Sequence, residues 1–153
     1  MIIRKANAED INAISSLLIQ LSEKFITSSF TDEGKGNLLR SMNPEAIRGY
    51  FDQGYRYHVA DRDGEILGVV GMKNDTHLYH LFVAEAEQGA GLARRLWETA
   101  KSDCLSRSSP EYFTVNSSLN AEKVYKSWGF VPVAGVRETG GVKDIPMKLE
   151  TGC

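Results

Sequence analysis

The junction between Val83 and Leu92 constrains this chain more than any other feature. A run rich in aromatic and branched residues, His77–Val83, ends in a short acidic stretch, passes Gly89 and Gly91, and enters a helical period. In that period Leu92, Leu96, Ala100 and Cys104 recur every fourth residue, and Ala93, Trp97 and Leu105 widen the stripe into a face that can cover a sheet. Pro110 resets the chain and Tyr112–Val115 reads as a second strand. A strand–helix–strand crossover usually makes its strands parallel neighbours, because only a long connection brings the chain back to the same end of the sheet.

The flanking segments add both helices and strands. Ile2–Lys5 is a short β-branched strand, and Asn7 followed by Glu9 and Asp10 has the acceptor and first-turn acids of a helix start. Ile11, Ile14, Leu17, Leu18, Leu21 and Phe25 then fall on one helical face. Ser22 to Met42 shows no sustained period and is expected to be irregular, helical in part. Asn43-Pro44-Glu45 starts another helix, with Ile47, Tyr50 and Phe51 on its apolar face and Gly54 at its end. Tyr57–Ala60, Ile66–Met72 and His77–Val83, divided by Asp63-Gly64 and Asn74-Asp75, form an antiparallel meander. Gly68 and Gly71 within it mark bulges or close backbone approaches. A helix from about Ser118 to Trp128 stops at Gly129, and Phe130–Val136 with Ile145–Leu149 closes the chain as a hairpin around Gly140-Gly141.

With 153 residues, 42% hydrophobic and 25% charged, the chain suits a single domain, 1–153, whose core buries roughly 70% of the unfolded surface. The net charge of −2 argues against a nucleic-acid partner. Cys104 and Cys153 are too few and too scattered for a disulfide framework or a zinc site, so no metal is expected and a reducing compartment fits. No apolar run approaches a membrane span and no signal-peptide core precedes Asn7. The expectation is a cytoplasmic protein with no membrane partner.

A strand leading directly into glycines that open a helix exposes backbone N–H groups at the positive end of the helix dipole, which suits a phosphate or pyrophosphate. The Gly-Lys-Ser/Thr of a P-loop is missing, and so is the Gly-x-Gly-x-x-Gly fingerprint. What does match is Gln/Arg-x-x-Gly-x-Gly/Ala, in Gln88-Gly89-Ala90-Gly91-Leu92-Ala93, and downstream Ala121-x-x-x-Tyr125-x-x-x-Gly129-Phe130. On these motifs and the order of elements the chain resembles the GNAT superfamily of acyl-coenzyme-A-dependent N-acetyltransferases. The resemblance is strongest from Thr76 to Phe130 and weakest from Ser22 to Gly54.

The resemblance implies an α/β (α+β) GNAT fold, a mixed, mostly antiparallel, twisted central sheet flanked by helices, and acetyl-coenzyme A as acyl donor. It implies that backbone groups at Leu81, Phe82 and Val83 hold the pantetheine arm and polarise the thioester, and that the turn Gln88, Gly89, Ala90, Gly91, Leu92, Ala93 and Arg94 takes the pyrophosphate. Ser118, where many members have Asn, and nearby Asn120 would add a side-chain contact. Tyr125 stands where the family has a tyrosine that protonates the departing thiolate, a task suited to a phenol whose ordinary pKa is near that of a thiol. His77, six residues before Val83, stands where several members carry a Glu or His that receives the amine proton. Strand alternation puts His77, Tyr79 and Leu81 on one face and His80 on the other, where a structural role is expected.

Each assignment has a plainer alternative. Gly91 could be an ordinary helix-start glycine, Tyr125 a core residue and His77 a packed or surface residue, with water carrying the proton. Trp97, Trp128, Phe130 and Cys104 are read as core. Arg94 and Arg95 either approach the phosphates or form a solvated face, and Asp32 and Glu33 could meet a cationic acceptor. The expected function is acetyl transfer by direct attack of a small-molecule, peptide or protein amine, with a homodimer as an assembly common in the family. The rivals are a non-catalytic acyl-coenzyme A sensor of the same fold and an unrelated nucleotide-binding domain.

Overall fold

The computed structural model describes residues 1–151; Cys153 and the expectation attached to it lie outside them. The strands are β1 (Ile2–Lys5), β2 (Arg56–Arg62), β3 (Glu65–Lys73), β4 (His77–Val83), β5 (Tyr112–Ser117), β6 (Val131–Pro132), β7 (Arg137–Thr139) and β8 (Val142–Glu150). Their order is β1-β2-β3-β4-β5-β8-β6, with β7 paired on β8. β4 and β5 run parallel while the other pairs are antiparallel, as the crossover and the meander dictate. This is the mixed, mostly antiparallel sheet expected from the sequence.

Five helices flank it: α1 (Ile11–Phe25), α2 (Asp32–Arg40), α3 (Pro44–Asp52), α4 (Leu92–Arg107) and α5 (Glu122–Ser127). Their starts follow local chemistry. Asn7 and Asp10 make a reciprocal capping box ahead of α1, the Thr31 hydroxyl accepts from the Gly34 N–H to open α2, and Asn43 accepts from the Ala46 N–H ahead of α3. The core divides by face of the sheet. On one face Leu96, Trp97 and Cys104 of α4 pack with Phe113, Tyr125 and Phe130; on the other, Ile14 and Leu18 of α1 and Ile47 of α3 pack over Val59 and Val69. Each leucine, isoleucine, valine or phenylalanine among them, fully buried, contributes about 1.5–3 kcal/mol.

Several boundaries differ from the sequence reading. Within Ser22–Met42, expected to be irregular and helical in part, the helical part is α2, Asp32–Arg40, together with the end of α1. The last helix begins at Glu122, because Ser118–Asn120 form a turn in which the Ser118 hydroxyl is tied to the Asn120 side chain at 2.7 Å. The first arm of the closing hairpin is split into β6 and β7, both paired to the long β8. Leu105, assigned to the buried stripe of α4, is 38% exposed. The strand irregularities fall at Leu67 and Tyr79, beside the glycines and not on them. Gly68 and Gly71 serve close approach instead: a Cβ on Gly71 would lie 2.3 Å from the Tyr57 ring, and one on Gly68 would lie 2.8 Å from Leu96.

Candidate active site

The site originates in two breaks of regularity along β4. The first is the bulge at Tyr79. The pairing runs Met72 with Leu78 and then Gly71 with His80, so Tyr79 has no partner opposite it. Alternation is reset there. Leu78, Leu81 and Val83 join the core beneath α4, while His80 and Phe82 face α1 and α3 together with Tyr79. The expectation that His77, Tyr79 and Leu81 share a face is therefore corrected: Leu81 lies on the opposite face, and His80 joins the side of Tyr79. The structural role expected for His80 agrees with its surroundings. It is 5% exposed, its Nδ1 lies 2.8 Å from the Tyr57 hydroxyl, and burial pushes its pKa down to about 3.

The second break is the parting of β4 from β5. The two pair only at His77 with Thr114 and Leu78 with Val115. Beyond that, the Ala84 N–H donates to the Leu67 carbonyl of β3 at 2.8 Å, which fixes the phase of the ladder. Antiparallel alternation then points the backbone groups of Leu81 and Val83 away from β3 and into the gap. One of these, the Val83 carbonyl, accepts from Gln88 Nε2 at 3.0 Å, which fixes the start of the glycine turn.

Gly89 and Gly91 have φ of 84° and 83°, a conformation that disfavours other residues, and a Cβ on either would enter open space. Gly91 caps α4 without a side-chain acceptor, and the helix's first bond is Arg95 N–H to the Gly91 carbonyl. Among the described residues the N–H groups of Gly89 through Arg94 find no protein acceptor, so they form a row of free donors at the positive end of a 16-residue helix. Gln88 is a correction: its backbone N–H donates to the Glu85 carbonyl at 3.2 Å and its side chain holds Val83, so it shapes the turn and offers no free backbone N–H. Leu92 and Val83 are 3% and 7% exposed, which leaves only their backbones to serve a ligand.

A cavity of about 750 Å³ passes through this gap. It brings together His77, Leu81, Phe82, Val83, Gln88, Gly89, Gly91, Leu92, Ala93, Arg94, Ser118, Asn120 and Tyr125, and of the expected site residues leaves out Ala90. Arg94 is loosely paired with Glu98 at 3.9 Å, and Arg95 does not reach the cavity. Asp32 and Glu33, offered as partners for a cationic acceptor, sit exposed in the first turn of α2, where they complement the helix dipole and do not line the cavity. Trp128 is half-buried against Tyr125, with ring centroids 5.6 Å apart, and lines the cavity as well as packing. The sequence reading missed the opposite wall, built from Phe25, Ile26, Phe30, Leu38 and Met42. In the sequence Phe25 reads as part of the apolar face of the first helix, and the other four are apolar residues without a period.

His77 and Tyr125 both reach the cavity with distinct electrostatics. His77 Nδ1 lies 2.8 Å from Thr114 Oγ1, and Nε2 has no protein partner among the described residues. Burial, with help from Lys73 and Arg137, holds its pKa below the ordinary histidine value, so the ring is neutral at pH 7. Tyr125 is buried, and desolvation raises its pKa, which keeps the phenol protonated. Its hydroxyl makes no hydrogen bond to the protein among the described residues and is available to a ligand. Cys104 is fully buried, with its thiol pushed up to about 11, and does not line the cavity.

The model of the acetyltransferase (GNAT) domain matches residues 26–151. This chain belongs to the GNAT acetyltransferase family. Its GNAT fold is shared with many solved structures. A GCN5-related N-acetyltransferase from Rhodopseudomonas palustris aligns with a TM-score of 0.80 at 17% identity, over 97% of this chain and 94% of that one. The PaiA N-acetyltransferase of Thermoplasma acidophilum, solved in complex with coenzyme A, gives 0.77 at 15% identity, over 97% and 98%. A ribosomal-protein-alanine N-acetyltransferase from Brucella melitensis gives 0.70 at 18%, over 98% and 99%. No curated protein matches the sequence. Among the described residues no helix is long and apolar enough to cross a membrane.

Proposed function

We propose that this GNAT chain is an N-acetyltransferase that moves acetyl from acetyl-coenzyme A to a primary amine of a small molecule or peptide by direct attack in a ternary complex. The observation that carries this reading is a single cavity running through the β4–β5 gap, with the free N–H row and Tyr125 on the α4 side and His77 on the other. Acetyl-coenzyme A supplies an acetyl thioester. Gly89 through Arg94 would bind its pyrophosphate, and the backbone groups of Leu81 and Val83 that point into the gap would hold the pantetheine arm and polarise the carbonyl.

The chemistry then divides between the two side chains. With Nδ1–H donating to Thr114 Oγ1, His77 Nε2 carries the lone pair that takes the amine proton as the N–C bond forms. The Tyr125 O–H, which lines the same cavity, would give its proton to sulfur as the C–S bond breaks and the sulfur keeps the electron pair. The products are an N-acetyl amine and free coenzyme A. A covalent acyl-enzyme on Cys104 finds no support, since that thiol is buried away from the cavity and its pKa is raised.

Calorimetric titration with acetyl-coenzyme A, followed by assay of free thiol release with a panel of amines, tests the reading. Binding and amine-dependent release are expected. Absence of binding would overturn it, and tight binding with no release for any amine would favour a sensor of the same fold.

A further inference from the structure

The acceptor side of the cavity has a chemical character of its own, and from it we infer that the acceptor is a primary amine carried on an apolar body, with polycationic amines rejected. This rests on the N-acetyltransferase reading and names its substrate class. The wall facing β4 across the cavity is made of Phe25 and Ile26 at the end of α1, Phe30, Leu38 of α2, and Met42, and Phe82 faces the same side of the sheet. Phe25, Ile26, Phe30 and Leu38 are only partly buried, so they retain apolar surface for a ligand to cover.

Among the described residues the polar groups on this side are either occupied or neutral: the Asn116 amide lines the cavity without a protein partner and carries no charge. The Tyr79 hydroxyl donates to that of Tyr50 at 3.0 Å, and the Ser41 hydroxyl donates to the Leu38 carbonyl at 2.5 Å. The two carboxylates in the lining are ion-paired, Glu87 with Arg62 and Asp144 with Arg137. Lys143 also lines the cavity and has no ion-pair partner among the described residues. Positive charge from Lys73 and Arg137 reaches His77 itself. One amine that sheds its proton to His77 fits such a surface. A second ammonium on the same molecule would lose its water against an apolar wall with no unpaired carboxylate to receive it. The wall also lies across the sheet from Tyr125 and α4, which separates it from the donor side and assigns it to the acceptor rather than to a long acyl chain.

Hexylamine and 1,6-diaminohexane share a carbon chain and differ in the far charge, so their ratio reads this property directly. With acetyl-coenzyme A, kcat/KM for hexylamine is expected to exceed that for the diamine by at least ~10-fold. The Leu38→Glu variant, which places a carboxylate in the wall, is expected to shrink that ratio several-fold. A diamine used as well as hexylamine, or better, would overturn the inference. So would an octanoyl donor that outpaces acetyl-coenzyme A with the same amine, since the wall would then belong to the acyl chain. If acetyl-coenzyme A binds but no amine is acetylated, the transferase reading fails, and calorimetry of the two amines against the coenzyme A complex still decides: tighter hexylamine supports the apolar acceptor site, equal or tighter diamine overturns it.

Discussion

Tyr125 combines a packed ring with an unoccupied hydroxyl, and those two properties separate stability from chemistry. The ring lies 5.6 Å, centroid to centroid, from both Trp128 and Phe130, and these contacts survive replacement by phenylalanine. Tyr125→Phe is therefore expected to fold normally and bind acetyl-coenzyme A within about threefold, while kcat falls about 10²-fold for want of a proton on the leaving sulfur. Steady-state kinetics beside calorimetry checks this, and an unchanged kcat would remove Tyr125 from the reaction. For His77 the sign of the pKa shift sets the pH profile. Its base form is the neutral ring, and burial first, then Lys73 and Arg137, lowers the pKa from the ordinary histidine value. So kcat/KM is expected to rise with pH through a midpoint below about 6.5 and to be flat above it. His77→Gln, which keeps a polar partner for Thr114, should abolish that acid limb; a profile of unchanged shape would make His77 a packing residue and leave the proton to water.

At the level of elements, α2 and the β7–β8 turn hold the acceptor wall in place through an unusually close backbone contact. A Cβ on Gly34 would lie 2.1 Å from the Gly141 carbonyl oxygen, and the Thr31 N–H reaches that same oxygen at 3.4 Å. Gly34→Ala forces the two apart. The expected result is a loss of about 1–3 kcal/mol in stability and a raised KM for the amine. The affinity for acetyl-coenzyme A should change little, because the free N–H row of Gly89 through Arg94 is built by the β4–α4 turn and not by α2; an equal loss of both affinities would show that the wall and the turn move as one. This contact also explains what the sequence could and could not reveal. α4 was legible because its buried residues recur every fourth position, and the glycine turn because Gly89 and Gly91 meet a conformational need. The bounds of α2 were not, since Gly34 and Gly36 weaken its propensity and its docking depends on Gly141, more than a hundred residues away. The bulge at Tyr79 was equally hidden. Nothing in His77–Val83 breaks the alternation; the break is in the register with β3, which is a property of the pair of strands.

For the whole molecule, the small net charge of −2 suggests little dependence of stability on pH, yet all three histidines are held neutral by burial. Each folded pKa lies below the unfolded value near 6.5, so between the two the unfolded chain binds more protons than the folded one. The stability these groups provide is complete above about pH 6.5 and is lost as pH falls through that window. For His80 the window extends down to about 3. The Asp10 carboxylate, held below its ordinary value by Arg4, adds acid sensitivity only at the low end of this range. The melting temperature is therefore expected to fall steadily from pH 6.5 to pH 4.5, before carboxylate protonation contributes much. His80→Gln retains an acceptor for the Tyr57 hydroxyl and removes the largest of the three proton uptakes, so its melting temperature should decline less steeply over that interval. Thermal unfolding of both proteins at half-unit pH steps measures the two slopes. Equal slopes would mean that His80 is protonated in the folded protein, which would require the Tyr57–His80 pair to be open to water.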